Sequence, residues 1–439
     1  MSLHGCGGMS LAPQHHTIQK YTKERLIIMQ SLFSNFYSFI KKETVLTIAM
    51  LLAICTCFLV PPSIDYLSYI DWRVLGILFS LRLVMDGFQR TGLFQNIGQT
   101  LLQRTHNTKQ LTFVLVFLCF FFSMLITNDV ALITFVPFSI LTLRMCKQEQ
   151  QILLVVVLQT IAANLGSMLT PIGNPQNLYL FHMLSCSPLE FMEILFPYTC
   201  ISGVLLIFCL LFQKKKTNPS DCQASQEVTP LSRSSMEVKE VPAFTDFENT
   251  HNTGKCNFHT PLSRISNTKK NIGYFFLFTL NLCVVFHLLP FSYALVLTLV
   301  VTFLLAPITL VSVDYALLLT FISFFVFIGN LQQVPEIHQW LSQVVESNTF
   351  LCGLLASQCI SNVPAALLLS GFTRDLTTLL ISVNLGGLGT LIASMASLIS
   401  YKYFAKAYPN QKGKYFLIFT IFNLLFLLVL VLFWWFQYY

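Results

Sequence analysis

From residue 44 to residue 436 this chain is a succession of apolar segments, and that feature decides its solvent. The segments are 44–61, 73–89, 111–143, 151–180, 190–212, 271–289, 291–311, 314–331, 349–373, 375–400 and 414–436. A helix needs about 20 mainly apolar residues to cross a bilayer, a length most of these segments approach or exceed. Only 10% of the 439 residues are charged, against roughly a quarter in a soluble protein that must cover its own surface. The expected class is an all-α polytopic membrane protein whose first partner is the lipid bilayer.

The net charge of +7 would suit nucleic acid in a soluble protein. Here the basic residues mark loops between apolar segments, so no nucleic-acid partner is expected. The 13 cysteines are scattered, several within apolar runs (Cys55, Cys57, Cys119, Cys209, Cys283). With no CxxC pair and no Cys/His cluster at metal spacing, they read as small buried hydrophobes. Residues 1–42 lack the short apolar stretch and small-residue cleavage site of a secretory signal. They read as a cytoplasmic lead-in.

Two segments are interrupted halfway, 111–143 by Thr127-Asn128-Asp129 and 349–373 by Ser361-Asn362-Val363-Pro364. Backbone groups freed in contact with lipid cannot be satisfied, so such breaks survive only where they are buried in protein or line a wet cavity. Re-entrant helical hairpins with polar tips meet that condition. Orientation follows from the basic clusters. Lys20, Lys23, Arg25, Lys41 and Lys42 place the N-terminus in the cytoplasm. If each hairpin returns to its own side, Arg144 and Lys147, Lys214-Lys215-Lys216, and Lys402, Lys406, Lys412 and Lys414 also fall there. The C-terminus is then extracytoplasmic, and the membrane is the cell's inner (plasma) membrane. Segments 92–108 and 333–346 read as amphipathic helices at the interface.

The strongest signal is internal. Ser123, Ile126, Thr127 and Asn128 fit S-x-x-I-[ST]-N, and so do Ser357, Ile360, Ser361 and Asn362. Asn164-Leu165-Gly166 with Thr170 and Ile172 fits N-L-G-x-x-x-T-x-I, and so does Asn384-Leu385-Gly386 with Thr390 and Ile392. Two motifs recurring in the same order in two halves of opposite insertion predict inverted-topology repeats. The first would span 43–212, with hairpin 111–143 and broken helix 151–180. The second, with a connector helix, would span 271–439, with hairpin 349–373 and broken helix 375–400. Residues 213–270, polar and rich in Ser, Thr and Pro, read as a flexible cytoplasmic linker.

The chemistry of these positions suits ions. Hairpin tips offer freed carbonyls and the oxygens of Ser, Thr and Asn, which are hard ligands for Na+. Half-helix N-termini offer N–H groups to an anion. Pro171, Gly173 and Pro175 prevent a continuous helix in 151–180 and leave Thr170, Gly173, Asn174 and Asn177 near the first tip. Gly386, Gly387 and Gly389 allow close approach in the second half, where Thr390, Ser394 and Ser397 supply hydroxyls. The expected binding residues are Ser123, Thr127, Asn128, Asp129, Thr170, Gly173, Asn174, Asn177, Ser357, Ser361, Asn362, Thr390 and Ser394. For the serines, simple helix packing is the competing reading.

Thr127-Asn128-Asp129-Val130-Ala131, Pro171 to Asn177 and Ser361-Asn362-Val363-Pro364 resemble the ion transporter superfamily. That superfamily includes divalent-anion/sodium symporters, citrate permeases, arsenite-efflux permeases and a sodium/proton antiporter branch. The resemblance implies a homodimer with a scaffold domain and a mobile transport domain, working by an elevator movement. It also implies Na+ sites at Thr127, Asn128 and Gly173 and at Ser361 and Asn362. Dicarboxylate symporters of the superfamily carry Ser-Asn-Thr at both tips. Asp129 and Val363 replace those threonines, so the likeness leans to the citrate- and arsenite-permease members.

Charges at bilayer depth need a reason. Asp129 is a candidate proton or cation site, and Arg82 and Asp86, four apart, are expected to pair. The resulting expectation is a secondary active transporter of a small anion coupled to Na+ or H+, without a cofactor. The alternatives are a Na+/H+ antiporter using Asp129 and, more remotely, an integral-membrane enzyme. No phosphate-binding G-x-x-x-x-G-K-[ST] loop is present.

Overall fold

The computed structural model describes residues 43–102, 105, 107–212 and 261–438. The lead-in and most of the expected linker lie outside them. Every regular element among the described residues is helical. The first half runs α1 (Thr44–Cys57), α2 (Tyr66–Tyr69), α3 (Trp72–Arg90), α4 (Leu93–Leu102), α5 (Thr108–Leu125), α6 (Asn128–Met145), α7 (Glu149–Ser167), α8 (Pro175–Leu184) and α9 (Pro188–Leu211). The second runs α10 (Pro261–Val285), α11 (Phe291–Leu305), α12 (Ile308–Ser312), α13 (Tyr315–Gln332), α14 (Pro335–Ser347), α15 (Thr349–Ile360), α16 (Asn362–Ser370), α17 (Leu376–Leu385), α18 (Met395–Ala407) and α19 (Lys412–Tyr438).

Local chemistry sets the starts. Asp71, Asn107, Asp314, Asn348 and Asp375 each accept a backbone N–H from the first turn of the helix they precede, satisfying donors that have no partner within the helix. Ser187 and Glu190 form a reciprocal capping box at α9, which satisfies two such donors together. Two boundaries differ from the hydropathy reading. The expected span 291–311 is divided at Pro307 into α11 and α12, as a proline without an N–H divides a helix. Helix α10 begins at Pro261 and not at 271, because a helix can extend through polar turns beyond its apolar part.

Burial sorts the helices into core and perimeter. Over its most apolar stretch α7 is 83% buried, whereas the C-terminal helix is 22% buried. The latter exposes Leu417, Ile421, Leu424, Leu428 and Leu432, a surface suited to lipid and not to water. Among the described residues, six helices are long and apolar enough to cross a membrane, and the chain is a multi-pass membrane protein. At the centre, α7 packs against α5 and α6, and α17 packs against α15 and α16. The crossings are exchanged between halves: α18 lies on α6 and α7, while α8 lies on α16 and α17. Around this core, α3 packs on α10 and α11, and α1 packs on α13.

Candidate functional site

Eight helix ends meet at the centre, where α5–α6, α7–α8, α15–α16 and α17–α18 are each interrupted. Freed backbone groups there are satisfied within the protein, as a nonaqueous interior requires. The Asn128 amide, opening α6, donates to the Gly173 carbonyl at 3.0 Å. The Asn362 amide, opening α16, donates to the Ala393 carbonyl at 3.0 Å. Thr170 Oγ1 donates to the Met124 carbonyl at 2.5 Å, and Thr390 Oγ1 to the Gln358 carbonyl at 3.3 Å. In both halves the hairpin tip and the chain break are tied to each other in the same way.

Two asparagines join the halves. Asn164 Oδ1 accepts from Asn128 Nδ2 at 3.3 Å and from Ser394 Oγ at 2.9 Å, and Asn164 Nδ2 donates to Ser397 Oγ at 3.3 Å. Asn384 Oδ1 accepts from Asn174 Nδ2 at 3.2 Å, and Asn384 Nδ2 donates to Asn177 Oδ1 at 2.7 Å. Each hub sits on the helix entering one break and reaches side chains that start the helix leaving the other. Asn164 and Asn384 open the N-L-G motif, yet the motif alone did not place them among the expected ligands. All five partners are buried, so the network is protected from water, and such hydrogen bonds count for more there.

Other expected residues have separate duties. Ser123 and Ser357 donate to carbonyls of their own helices, Phe120 at 2.9 Å and Gly353 at 2.7 Å. Their hydroxyls lie where a Cβ on Gly166 or Gly386 would fall, so the glycine of N-L-G receives the hairpin serine in close packing. Asn177 Nδ2 donates to the carbonyls of Met168 at 2.9 Å and Thr170 at 3.1 Å, holding the first break together from within. Gly173 must be glycine, since a Cβ there would overlap the Ser167 carbonyl. The second break is secured differently, by a residue the sequence did not single out. Gln358 Nε2 donates to the carbonyls of Gly386 and Leu388, both at 2.7 Å, and Gln358 Oε1 accepts from the Thr390 amide at 2.9 Å. Its position is an unspecified x in the hairpin motif, so no pattern marked it.

The tips also differ. Thr127 has ordinary extended backbone, φ −64° and ψ 149°. Ser361 has φ 75° and ψ 154°, a region almost reserved for glycine. Thr127 Oγ1 is buried and without a hydrogen-bond partner among the described residues. It lines a cleft with Asp129, Arg82, Asn174 and Pro175. The expected Arg82–Asp86 pair is corrected here: Asp86 pairs with Arg90 at 2.8 Å, and Arg82 turns into the cleft. Both pairings have i,i+4 spacing, but an acid placed N-terminal to its base is the better-oriented one. A second cleft, lined by Glu43, Asp314, Val363 and Pro364, lies against the other tip.

Away from the breaks, α8 is tied to its surroundings at its far end. His182 Nε2 lies 3.5 Å from Asp71 Oδ2, and Arg73 Nη2 lies 2.6 Å from His287 Nδ1.

A citrate-transporter family, CitMHS, matches residues 26–374. An uncharacterized transporter of Methanocaldococcus jannaschii, MJ0456, is 32% identical over 364 residues, covering 82% of this chain and 89% of the relative. The inner membrane protein YbiR of Escherichia coli is 28% identical over 336 residues, 76% of this chain and 80% of the relative. The silicon efflux transporter LSI3 of Oryza sativa is 28% identical over 154 residues, 34% of this chain and 31% of the relative. With broken helices around a buried polar centre and a family match over most of its length, the chain belongs to the CitMHS citrate-transporter family, and it is a membrane transporter, not an enzyme.

Proposed function

We propose that this protein is a secondary active transporter of a small anion, a carboxylate or an inorganic oxyanion, coupled to Na+ or H+. The observation that carries the reading is the pair of hairpin tips docked amide-to-carbonyl on two helix breaks, with Asn164 and Asn384 joining them. Half-helix ends gathered around one buried polar patch are how transporters present freed carbonyls to cations and N–H groups to anions. Matched contacts in the two halves support inverted-topology repeats, each with a hairpin and a broken helix. Thr127, Asn128 and Gly173, and Ser361 and Asn362, are the candidate Na+ ligands. Thr127, Asp129 and Asn174 line the cleft where substrate would lie.

The citrate description of the family and the silicon efflux name of LSI3 both favour small, oxygen-rich solutes. The inner-membrane name of YbiR favours the same compartment here, and the basic clusters favour a cytoplasmic N-terminus and an extracytoplasmic C-terminus. A homodimer working by an elevator movement of the central helices against the α1, α3, α10, α11 and α13 perimeter completes the proposal.

Purified protein in liposomes tests it. Citrate, succinate, sulfate and phosphate, offered one at a time, should include at least one anion that accumulates against its gradient when Na+ or H+ flows inward. With a trapped pH dye and no anion, an inward Na+ gradient should leave the dye unchanged. Proton efflux driven by Na+ alone would establish an antiporter built on Asp129 and end the anion reading.

A further inference from the structure

The first cleft contains one cation and one anion from the protein, and they come from different helices, α3 and α6. Arg82 projects from α3, which packs on α10 and α11, whereas Asp129 stands one residue past the first hairpin tip. They line the same cleft yet form no ion pair. The ion pairs among the described residues are Arg90–Asp86 and His182–Asp71. Arg82 makes no hydrogen bond to any described residue. Apart from Thr127 and Asn174 the rest of the lining is apolar, with Leu78, Leu81, Ile172, Leu178 and Leu317, so no other charge in the lining offsets the guanidinium. The second cleft is built the opposite way: its charged residues are Glu43 and Asp314, and Val363 stands where the first tip has Asp129.

We propose that Arg82 recognises the transported anion, and that Asp129 is the counter-charge whose place that anion takes. The inference rests on the anion-transport reading and names the residue that reads the substrate. A guanidinium cannot lose its proton in a protein and presents five N–H donors in a planar fork. It suits two oxygens of a carboxylate or of a tetrahedral oxyanion. The charged residues that line this cleft are Arg82 and Asp129. An entering monoanion satisfies the fork but leaves Asp129 with an unbalanced charge in an apolar site. A cation beside Asp129 restores neutrality, so one positive charge enters with each negative one. Thr127 Oγ1, without a hydrogen-bond partner among the described residues, can turn its proton to the anion and its lone pair to the cation.

Thermal unfolding of the purified full-length protein in detergent tests the assignment. Citrate, succinate, sulfate and phosphate are titrated separately against wild type, Arg82→Lys, Arg82→Gln and Asp129→Asn. At least one anion is expected to raise the wild-type melting temperature. Arg82→Gln should need at least tenfold more of that anion, Arg82→Lys a few-fold more, and Asp129→Asn several-fold less, because the competing carboxylate is gone. Without any anion, Arg82→Gln/Asp129→Asn should melt higher than Arg82→Gln alone, since removing the second charge relieves the first; this keeps the test readable if Arg82→Gln is unstable. An anion response in Arg82→Gln equal to wild type, or strictly additive melting shifts in the double variant, overturns the role of Arg82 and leaves anion transport standing. If none of the four anions shifts wild type, the anion reading of the site fails and this assignment fails with it.

Discussion

The two hairpins share one docking geometry and little else. Arms α5 and α6 have 18 residues each, whereas α15 and α16 have 12 and 9. The first tip has relaxed backbone, a hydroxyl without a partner and a carboxylate, Asp129. The second has Ser361 at φ 75° followed by apolar Val363 and Pro364. Where the first break closes on Gly173 and is held by Asn177, the second closes on Ala393 and is held by Gln358. The difference separates two requirements. Satisfying backbone groups at a helix break has one answer, which both halves use. What the tip shows to the cleft is free to diverge, and only the first tip carries a charge.

Exchanging residues between the halves puts that distinction at risk. The largest effect is expected from Gly173→Ala, which places the methyl group of Ala393 where the Ser167 backbone forbids it. A loss of about 3–5 kcal/mol, seen as absence of a monodisperse peak on size exclusion, is the expected scale for a backbone clash of this kind. Ala393→Gly should remain folded, and equal behaviour of the two variants would mean that the breaks are not built differently. Gln358→Met, which copies Met124, strands two carbonyls and one amide. It should cost about 2–3 kcal/mol and depress the melting temperature, while Met124→Gln should change it little. The smallest and most diagnostic pair is Ser361→Gly and Thr127→Gly. Relief of the positive φ should stabilise the former by about 1 kcal/mol. Extra unfolded-state freedom should destabilise the latter by a similar amount, so melting shifts of the same sign would remove the asymmetry of the tips.

Legibility in the sequence followed the cost of error at each position. Polar residues inside apolar segments carry a severe penalty in lipid, so Thr127-Asn128 and Ser361-Asn362 marked helix ends before any coordinates did. The glycine of N-L-G and the serine of the hairpin motif were also visible, but their shared purpose, close packing of Ser123 on Gly166 and of Ser357 on Gly386, lay in three dimensions. Gln358 was illegible because its partners are 28 to 32 positions away and an isolated glutamine has no periodic signature. Arg82 was misread because two i,i+4 pairings competed for one acid, and a spacing rule alone could not see that α3 turns one of them towards the hairpin.

The unequal hairpin arms have an electrical consequence. At about 1.5 Å per residue the first pair reaches about 27 Å, and the second about 14–18 Å, while both tips end at one polar patch. If the outer ends of the arms mark the two membrane faces, a charge entering beside the short hairpin crosses roughly two fifths of the transmembrane voltage before it binds. At 100 mV that is about 0.9 kcal/mol per elementary charge on the short side and about 1.4 kcal/mol on the long one. Half-saturation by a charged solute should therefore respond to membrane potential more steeply when it enters beside α5 and α6, and equal voltage dependence at the two faces would place the tips at mid-field instead.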